Sequence, residues 1–143
     1  MPSFATPLLA LPLLNPAQAH KEITHNEALL VADALLSPVA ATMPGNVPPS
    51  APAPGSCWII GSAPTGAWAG FAKHIALYSD GGWRFIVPVP GMAVWIASHN
   101  IRACYRNSDW FLPSIVAQPA GGAVIDTESR AAISAILAVL QAQ

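Results

Sequence analysis

Prolines restrict the fold of this 143-residue chain more than any other feature, because there are 15 of them and they are clustered. Proline lacks a backbone N–H and fixes its own φ, so it is excluded from helix interiors and central strands. The apolar stretch 4–14 carries Pro7 and Pro12, and the stretch 37–56 carries several more. We therefore predict an extended N-terminal arm, lying on a neighbouring subunit or on its own domain, and a semi-rigid Pro-rich linker over 37–56.

The second constraint is a shortage of charge. Only 9% of the residues are charged and 53% are hydrophobic, whereas ordinary soluble domains have about 25% charged residues. A surface with so little charge tends to associate, so we predict contacts with other copies of the chain, although abundant alanine also raises the hydrophobic count. A net charge of -1 without a basic run predicts no nucleic-acid partner. No apolar run reaches the roughly 18 residues of a spanning helix, so no membrane partner is expected either.

Two helix-start signals follow the apolar arm. Asn15-Pro16 is typical of a helix N-terminus, and Thr24 to Glu27 fits a capping box. Signals this close together favour a short turn followed by a helix from about His25 to Leu36, over one long helix. We predict that arm and helix entry form a docking part, in which a polar network fixes the arm. Its residues are Leu8, Leu11, Leu13, Leu14, Lys21, Glu22, His25, Asn26 and Glu27.

From Cys57 onward, short apolar runs alternate with turn signals such as Asp80-Gly81-Gly82. This pattern predicts four or five short strands in a small antiparallel meander or barrel. Asp126 or Thr127 is then expected to cap a last helix with the apolar stripe Ile133, Ile136, Leu137 and Leu140. The stripe can pack on its own domain or form a short bundle with copies of itself.

The predicted fold class is therefore α+β. Its expected parts are an apolar arm plus capped helix (1–36), a Pro-rich linker (37–56), an antiparallel β domain (57–112), and a connector with a C-terminal amphipathic helix (113–143).

Several motifs together resemble a family of unknown biochemical function found in bacteriophages and gene transfer agents of alphaproteobacteria. The matching stretches are LPLL at 11–14, QA at 18–19, KE at 21–22, THNEAL at 24–29, TGAWAG at 65–70, DGGWRF at 80–85, PGMAVW at 90–95 and GGAVIDTESRAAI at 121–133. The chain departs from that pattern at His20, where the family usually has Gln. The resemblance implies a virion fibre or spike protein and supplies no catalytic motif.

The five tryptophans at 58, 68, 83, 95 and 110 allow two interpretations. Tryptophan buries a large area, so core packing and subunit contacts are favoured over a carbohydrate-stacking surface. A sugar site also needs polar groups beside the ring, and only Trp110, with Asp109 and Asn107, meets that requirement.

No catalytic, metal or cofactor motif is recognisable. The acids stand mostly at caps and turns, and the chain has no HExxH, GxSxG or P-loop sequence. Cys57 and Cys104 lack zinc-ligand spacing, and either a disulfide or two free thiols is compatible with the sequence. We therefore expect no enzyme activity and no cofactor.

The resemblance implies a virion structural protein on the surface of a phage or phage-like particle, and the low charge, the extended arm and the lack of a catalytic motif support this expectation. It would be a homotrimer and the base or adaptor of a tail fibre or head spike. Its partners would be other virion proteins, such as the head vertex, the tail or a receptor-binding fibre. The alternative is a carbohydrate-binding module that contacts host surface polysaccharide directly, and a weaker one is a hydrolase of such polysaccharide.

Overall fold

The computed structural model describes residues 5–14, 21–113, 116–121 and 126–141, apart from the side chains of Lys21, Glu22 and Gln141. The chain forms two compact units, Met1–Leu112 and Pro113–Gln143. The first unit contains a helix, α1 (Lys21–Leu36), and a mixed sheet. The second contains the helix α2 (Thr127–Gln141). The predicted α+β class is confirmed.

The sheet has seven strands in the order β4-β3-β2-β1-β5-β6-β7. The strands are β1 (Val39–Ala40), β2 (Cys57–Ile59), β3 (Ile75–Ser79), β4 (Gly82–Ile86), β5 (Ala93–Ile96), β6 (Ile101–Arg106) and β7 (Asp109–Phe111). Two antiparallel meanders, β2–β4 and β5–β7, flank β1, which is parallel to both of its neighbours. Among the described residues the sheet stays open at β4 and β7, so the closed barrel is wrong.

Turn residues explain the hairpins. Ser79 pairs with Gly82, which leaves Asp80 and Gly81 as the two-residue loop that the sequence predicts. The β6–β7 loop has positive φ at both central residues, Asn107 (51°) and Ser108 (59°). Positive φ at both positions is the signature of a type I′ turn, whose twist matches that of paired strands.

The structure does not support a Pro-rich linker over 37–56. Val39–Ala40 lies at the centre of the sheet, and Ala40 is completely buried. The Pro38 carbonyl accepts a hydrogen bond from Trp95 N–H at 2.8 Å. Further along, Gly45 forms an isolated bridge with Ile60. Prolines on either side of the two-residue strand leave its own N–H groups intact, so the segment contributes a central strand despite its composition.

The structure does not support an extended arm either. Residues 5–14, here called the N-terminal segment, fold back on themselves through a bridge between Ala5 and Pro12. Thr6 N–H donates to the Leu11 carbonyl at 2.9 Å, and the Thr6 hydroxyl accepts from Leu11 N–H. Thr6 is buried, so its side chain satisfies a backbone donor that an extended strand would leave open.

Helix α1 is continuous from Lys21, so the predicted start near His25 is wrong. No Gly or Pro interrupts Lys21–Leu36, and the capping-box residues are accommodated within the helix. The predicted cap at Asn15 lies outside the described residues. At the other end of the chain the predicted cap is confirmed, because Asp126 Oδ1 accepts from Ser129 N–H at 2.9 Å.

The two faces of the sheet are covered differently. One face carries the larger core cluster, including Ile59, Leu77 and Ile96, and α1 covers it through Ala34 and its neighbours. The opposite face carries a second cluster only over β2–β4, built from Trp58, Ile60, Trp68 and Ala76, with Tyr78, Trp83 and Phe85 packed against it.

Among the described residues, no core cluster lies on that opposite face over β1 and β5–β7. We call this area the uncovered face. The strand registers place the following side chains there: Val39, Ala93, Trp95, Arg102, Cys104, Arg106, Asp109 and Phe111.

Candidate functional site

Two polar side chains of α1 hold the N-terminal segment. Asp33 is only 1% exposed, and its carboxylate accepts hydrogen bonds from the N–H groups of Leu8 (2.9 Å) and Leu9 (2.7 Å). The Asn26 side chain accepts from Leu14 N–H at 2.9 Å and donates to the Leu14 carbonyl at 3.0 Å. Asn26 and Asp33 lie about two helical turns apart and so on the same face of α1. They therefore fix the segment at two separate points.

The segment presents leucine side chains to solvent. Leu8 and Leu9 are each 46% exposed although their backbone is fixed by Asp33. Leu14 is also exposed, whereas Leu11 and Leu13 are half-buried. An apolar turn held this firmly loses little conformational freedom when a partner covers it.

The remaining residues of the predicted docking part do not form one network in the described structure. Glu27 forms an ion pair with Arg84, which ties α1 to β4 rather than to the N-terminal segment. His25 is exposed. The side chains of Lys21 and Glu22 lie outside the described residues. The structure therefore brings Asn26, but not Glu27, to the N-terminal segment.

Cys57 and Cys104 are both free thiols, the first buried and the second exposed. Burial, and to a smaller extent the nearby charge of Asp33, together raise the pKa of the Cys57 thiol from 9.0 to about 11. Cys57 thus lies in the buried region next to Asp33. A buried thiol with a raised pKa is a poor nucleophile.

The raised pKa predicts a loss of stability in alkali. A thiol that ionises less readily when folded contributes its stability below the unfolded pKa of 9.0 and loses it as pH rises through about 11. The full effect is about 3 kcal/mol. Urea unfolding at pH 8 to 11 should show it in the wild type, and a Cys57→Ala variant should lack that part of the slope. Equal slopes would contradict the prediction.

The three candidate sugar residues all lie in the β6–β7 hairpin and have structural roles there. Trp110 donates its indole N–H to the Lys73 carbonyl at 2.8 Å, and its ring contacts Tyr105 edge-on with centroids 5.2 Å apart. Asp109 binds Lys73 Nζ at 3.2 Å. The backbone N–H of Trp110 and the ammonium group of Lys73 lower the pKa of the Asp109 carboxyl. Asn107 occupies the turn. The sugar contact stays a prediction.

Three of the tryptophans pack against one another. Trp68 lies 5.5 Å from Trp83 and 6.3 Å from Trp58 between ring centroids, and Trp58 lies 5.5 Å from Trp83. Trp68 is 1% exposed, and its indole N–H has no hydrogen-bond partner among the described residues. These rings fill the second core cluster, which agrees with the core interpretation for these three residues.

The stripe on α2 is largely exposed. Ile133, Ile136 and Leu140 are 44%, 59% and 62% exposed, whereas Leu137 is buried. The Ser129 N–H and hydroxyl lower the pKa of the capping Asp126 carboxyl. The helix thus begins with a well-formed cap, and its stripe presents three large exposed apolar side chains at spacings of three and four residues.

Within the described ranges, no three His, Cys, Asp or Glu side chains stand close enough to hold a metal ion. None of the described helices has the length and apolar character needed to cross a membrane.

Sequence reasoning missed three residues that organise this region. Asp33 clamps the N-terminal segment, Arg84 pairs with Glu27, and Lys73 joins the approach to β3 to the β6–β7 hairpin. The available signal was Asp33 itself, a carboxylate within the apolar run of α1. The contacts of Arg84 and Lys73 are distant in sequence and had no local signal.

Residues 25–111 match the model of a family described as a protein of unknown function, DUF2793. The match spans the sheet and most of α1. No curated protein matches the chain.

Proposed function

The chain belongs to the DUF2793 family, and on that premise we propose that it is a structural subunit of a phage or phage-like particle. It forms a homotrimer and serves as the base or adaptor of a tail fibre or head spike. In this role it supports host attachment by holding other virion proteins in place.

The exposed apolar stripe of α2 carries the proposal. Ile133, Ile136 and Leu140 have the spacing at which helices interlock in bundles. No charged side chain follows Arg130 in the helix, so nothing on it opposes close packing between copies. Because only 9% of the residues are charged, charge repulsion does little to keep copies of the chain apart.

Ile136→Glu should therefore break up the oligomer. A carboxylate in the packed stripe would lose its hydration, which costs several kcal/mol. We expect light scattering to give the wild type three times the 14.8 kDa chain mass and the variant a single chain mass. Ala135→Glu is the matched control, since Ala135 is exposed on the opposite side of α2. A wild type that is monomeric at micromolar concentration would overturn the homotrimer.

The N-terminal segment is the proposed contact with other virion proteins. Its exposed Leu8 and Leu9 are held by Asp33, so a partner meets a preformed apolar turn. Leu8 and Leu9 donate to Asp33 only through their backbones, and changing their side chains leaves the clamp in place.

We expect Leu8→Ser combined with Leu9→Ser to reduce incorporation into particles at least tenfold, with the melting temperature preserved. Removing two half-exposed leucine contacts from an interface is worth about 2–3 kcal/mol. Occupancy is measured by quantitative blotting of purified particles. Val47→Ser with Val87→Ser, two exposed valines outside the segment, is the control. Normal occupancy of the leucine variant would place the anchor elsewhere.

The second candidate is a carbohydrate-binding module that contacts host polysaccharide directly. Trp110 suits it poorly, because its indole N–H is already donated and its ring packs against the larger core cluster. Trp95 suits it better, because it is only half-buried and belongs to neither core cluster.

A further inference from the structure

The uncovered face has a composition that packing does not explain. Val39 pairs with Trp95, and Trp95 pairs with Arg102. Two residues further along β6, Cys104 pairs with Phe111. Directly paired residues share a face of the sheet, so these side chains form one continuous surface. Arg102 and Phe111 are exposed and Trp95 is half-buried.

Two cations on this face lack a carboxylate partner. Neither Arg102 nor Arg106 forms an ion pair with any residue that the structure describes. Asp109 stands opposite Arg106 in the register but forms its ion pair with Lys73. In a chain with only six Lys and Arg, two exposed and unpaired arginines on one sheet face are a substantial share of the positive charge.

Arg106 is also pre-oriented. Its guanidinium carbon lies 3.9 Å above the centre of the Phe111 ring. A guanidinium held over an aromatic ring by a cation–π contact still has N–H donors to offer to a carboxylate. The stacking reduces the conformational freedom that Arg106 would lose on binding.

We infer that the uncovered face binds an oligosaccharide that carries carboxylates, with Trp95 under a sugar ring and Arg102 and Arg106 on the acid groups. The two arginines are four residues apart on β6, which places their Cα atoms about 13 Å apart. That separation suits acid groups on separate sugar units of one chain. This inference goes beyond the proposed structural role and does not depend on it.

Other anionic partners fit less well. Two arginines on a chain of net charge -1 are too few for a nucleic acid, whose binding rests on many phosphate contacts. An extended acidic peptide is usually held in a groove or along a free strand edge. Here Trp95 and Arg102 lie on interior strands of the sheet, away from both edges. A second copy of the same face would bring like charges together.

The test is a titration of the purified protein with trigalacturonic acid, followed by amide chemical shifts and calorimetry. We expect saturable binding with shifts centred on β5 and β6. The methyl-esterified trisaccharide, which has the same rings without charge, should bind at least tenfold more weakly. The combined Arg102→Gln and Arg106→Gln variant should also lose at least tenfold in affinity.

Arg84→Gln with Arg130→Gln is the control, because it removes the same charge from outside the face, and it should bind as the wild type does. Melting temperatures confirm that each variant is folded. Absence of binding by the wild type, equal binding by both variants, or tighter binding of hexaglutamate than of trigalacturonic acid would overturn the inference. The titration gives its answer whether the protein is a trimer or a monomer, so its failure and that of the proposed role are separable.

Discussion

Replacing Trp68 with alanine should lower the free energy of unfolding by about 3–5 kcal/mol, the range for removing a fully buried aromatic side chain. Trp68 is 1% exposed and contacts Trp58 and Trp83 through its ring. It lies in a short helical turn, Gly66–Trp68, that covers β2–β4 from the side opposite α1. Its loss would remove the centre of the second cluster. Urea unfolding followed by circular dichroism measures the change.

Two further variants sharpen the result. Trp68→Phe should cost less, about 1–2 kcal/mol, because it keeps an aromatic ring. It also removes an indole N–H that has no partner among the described residues, so no hydrogen bond is lost with it. Trp95→Ala should be milder than Trp68→Ala, since Trp95 belongs to neither core cluster. A Trp68→Ala protein as stable as the wild type would show that the ring cluster contributes little.

Asp33→Ala should cost about 2–4 kcal/mol, because it leaves two backbone donors without their charged acceptor. The N–H groups concerned belong to Leu8 and Leu9. Their amide hydrogens should exchange with solvent much faster in the variant, while those of β3 keep most of their protection. Hydrogen exchange followed by NMR separates the two regions.

Asp33→Asn is the informative companion. The amide keeps one acceptor oxygen of similar shape, so it can satisfy only one of the two donors well. Its stability should fall between those of the wild type and Asp33→Ala. If Leu8 and Leu9 exchange equally slowly in all three proteins, Asp33 does not hold the N-terminal segment, and its burial needs another explanation.

Local signals predicted local structure. Asp80-Gly81 predicted the β3–β4 hairpin, and Asp126 predicted the start of α2, because a turn or cap is decided by adjacent residues. The strand β1 had no such signal. It is two residues long and lies in a segment of turn-forming composition, and its pairing partners are β2 and the distant β5.

The predictions for the candidate site show the same difference between contacts of neighbouring residues and contacts of distant ones. Asn26, one residue of the predicted polar network, hydrogen-bonds the backbone of Leu14, and the docking role of that network stays a prediction. Which partner each charged residue takes depended on the folded sheet, since Arg84 reaches Glu27 from a strand far along the chain. The uncovered face is a property of strand order and register. No single stretch of sequence could show that Trp95, Arg102 and Phe111 share a surface.

The position of β1 has a consequence for the folding pathway. Each meander, β2–β4 and β5–β7, pairs strands that are neighbours in sequence, so each can form by closing loops much shorter than the span from β1 to β5. Their union within the sheet depends on Val39 and Ala40, which must reach Trp95 and Ile96 across most of the first unit. Closing that long loop is the entropically costly step, and only the few backbone hydrogen bonds of β1 offset this cost directly. We therefore expect the rate-limiting event of folding to be the insertion of a two-residue strand between two preformed halves.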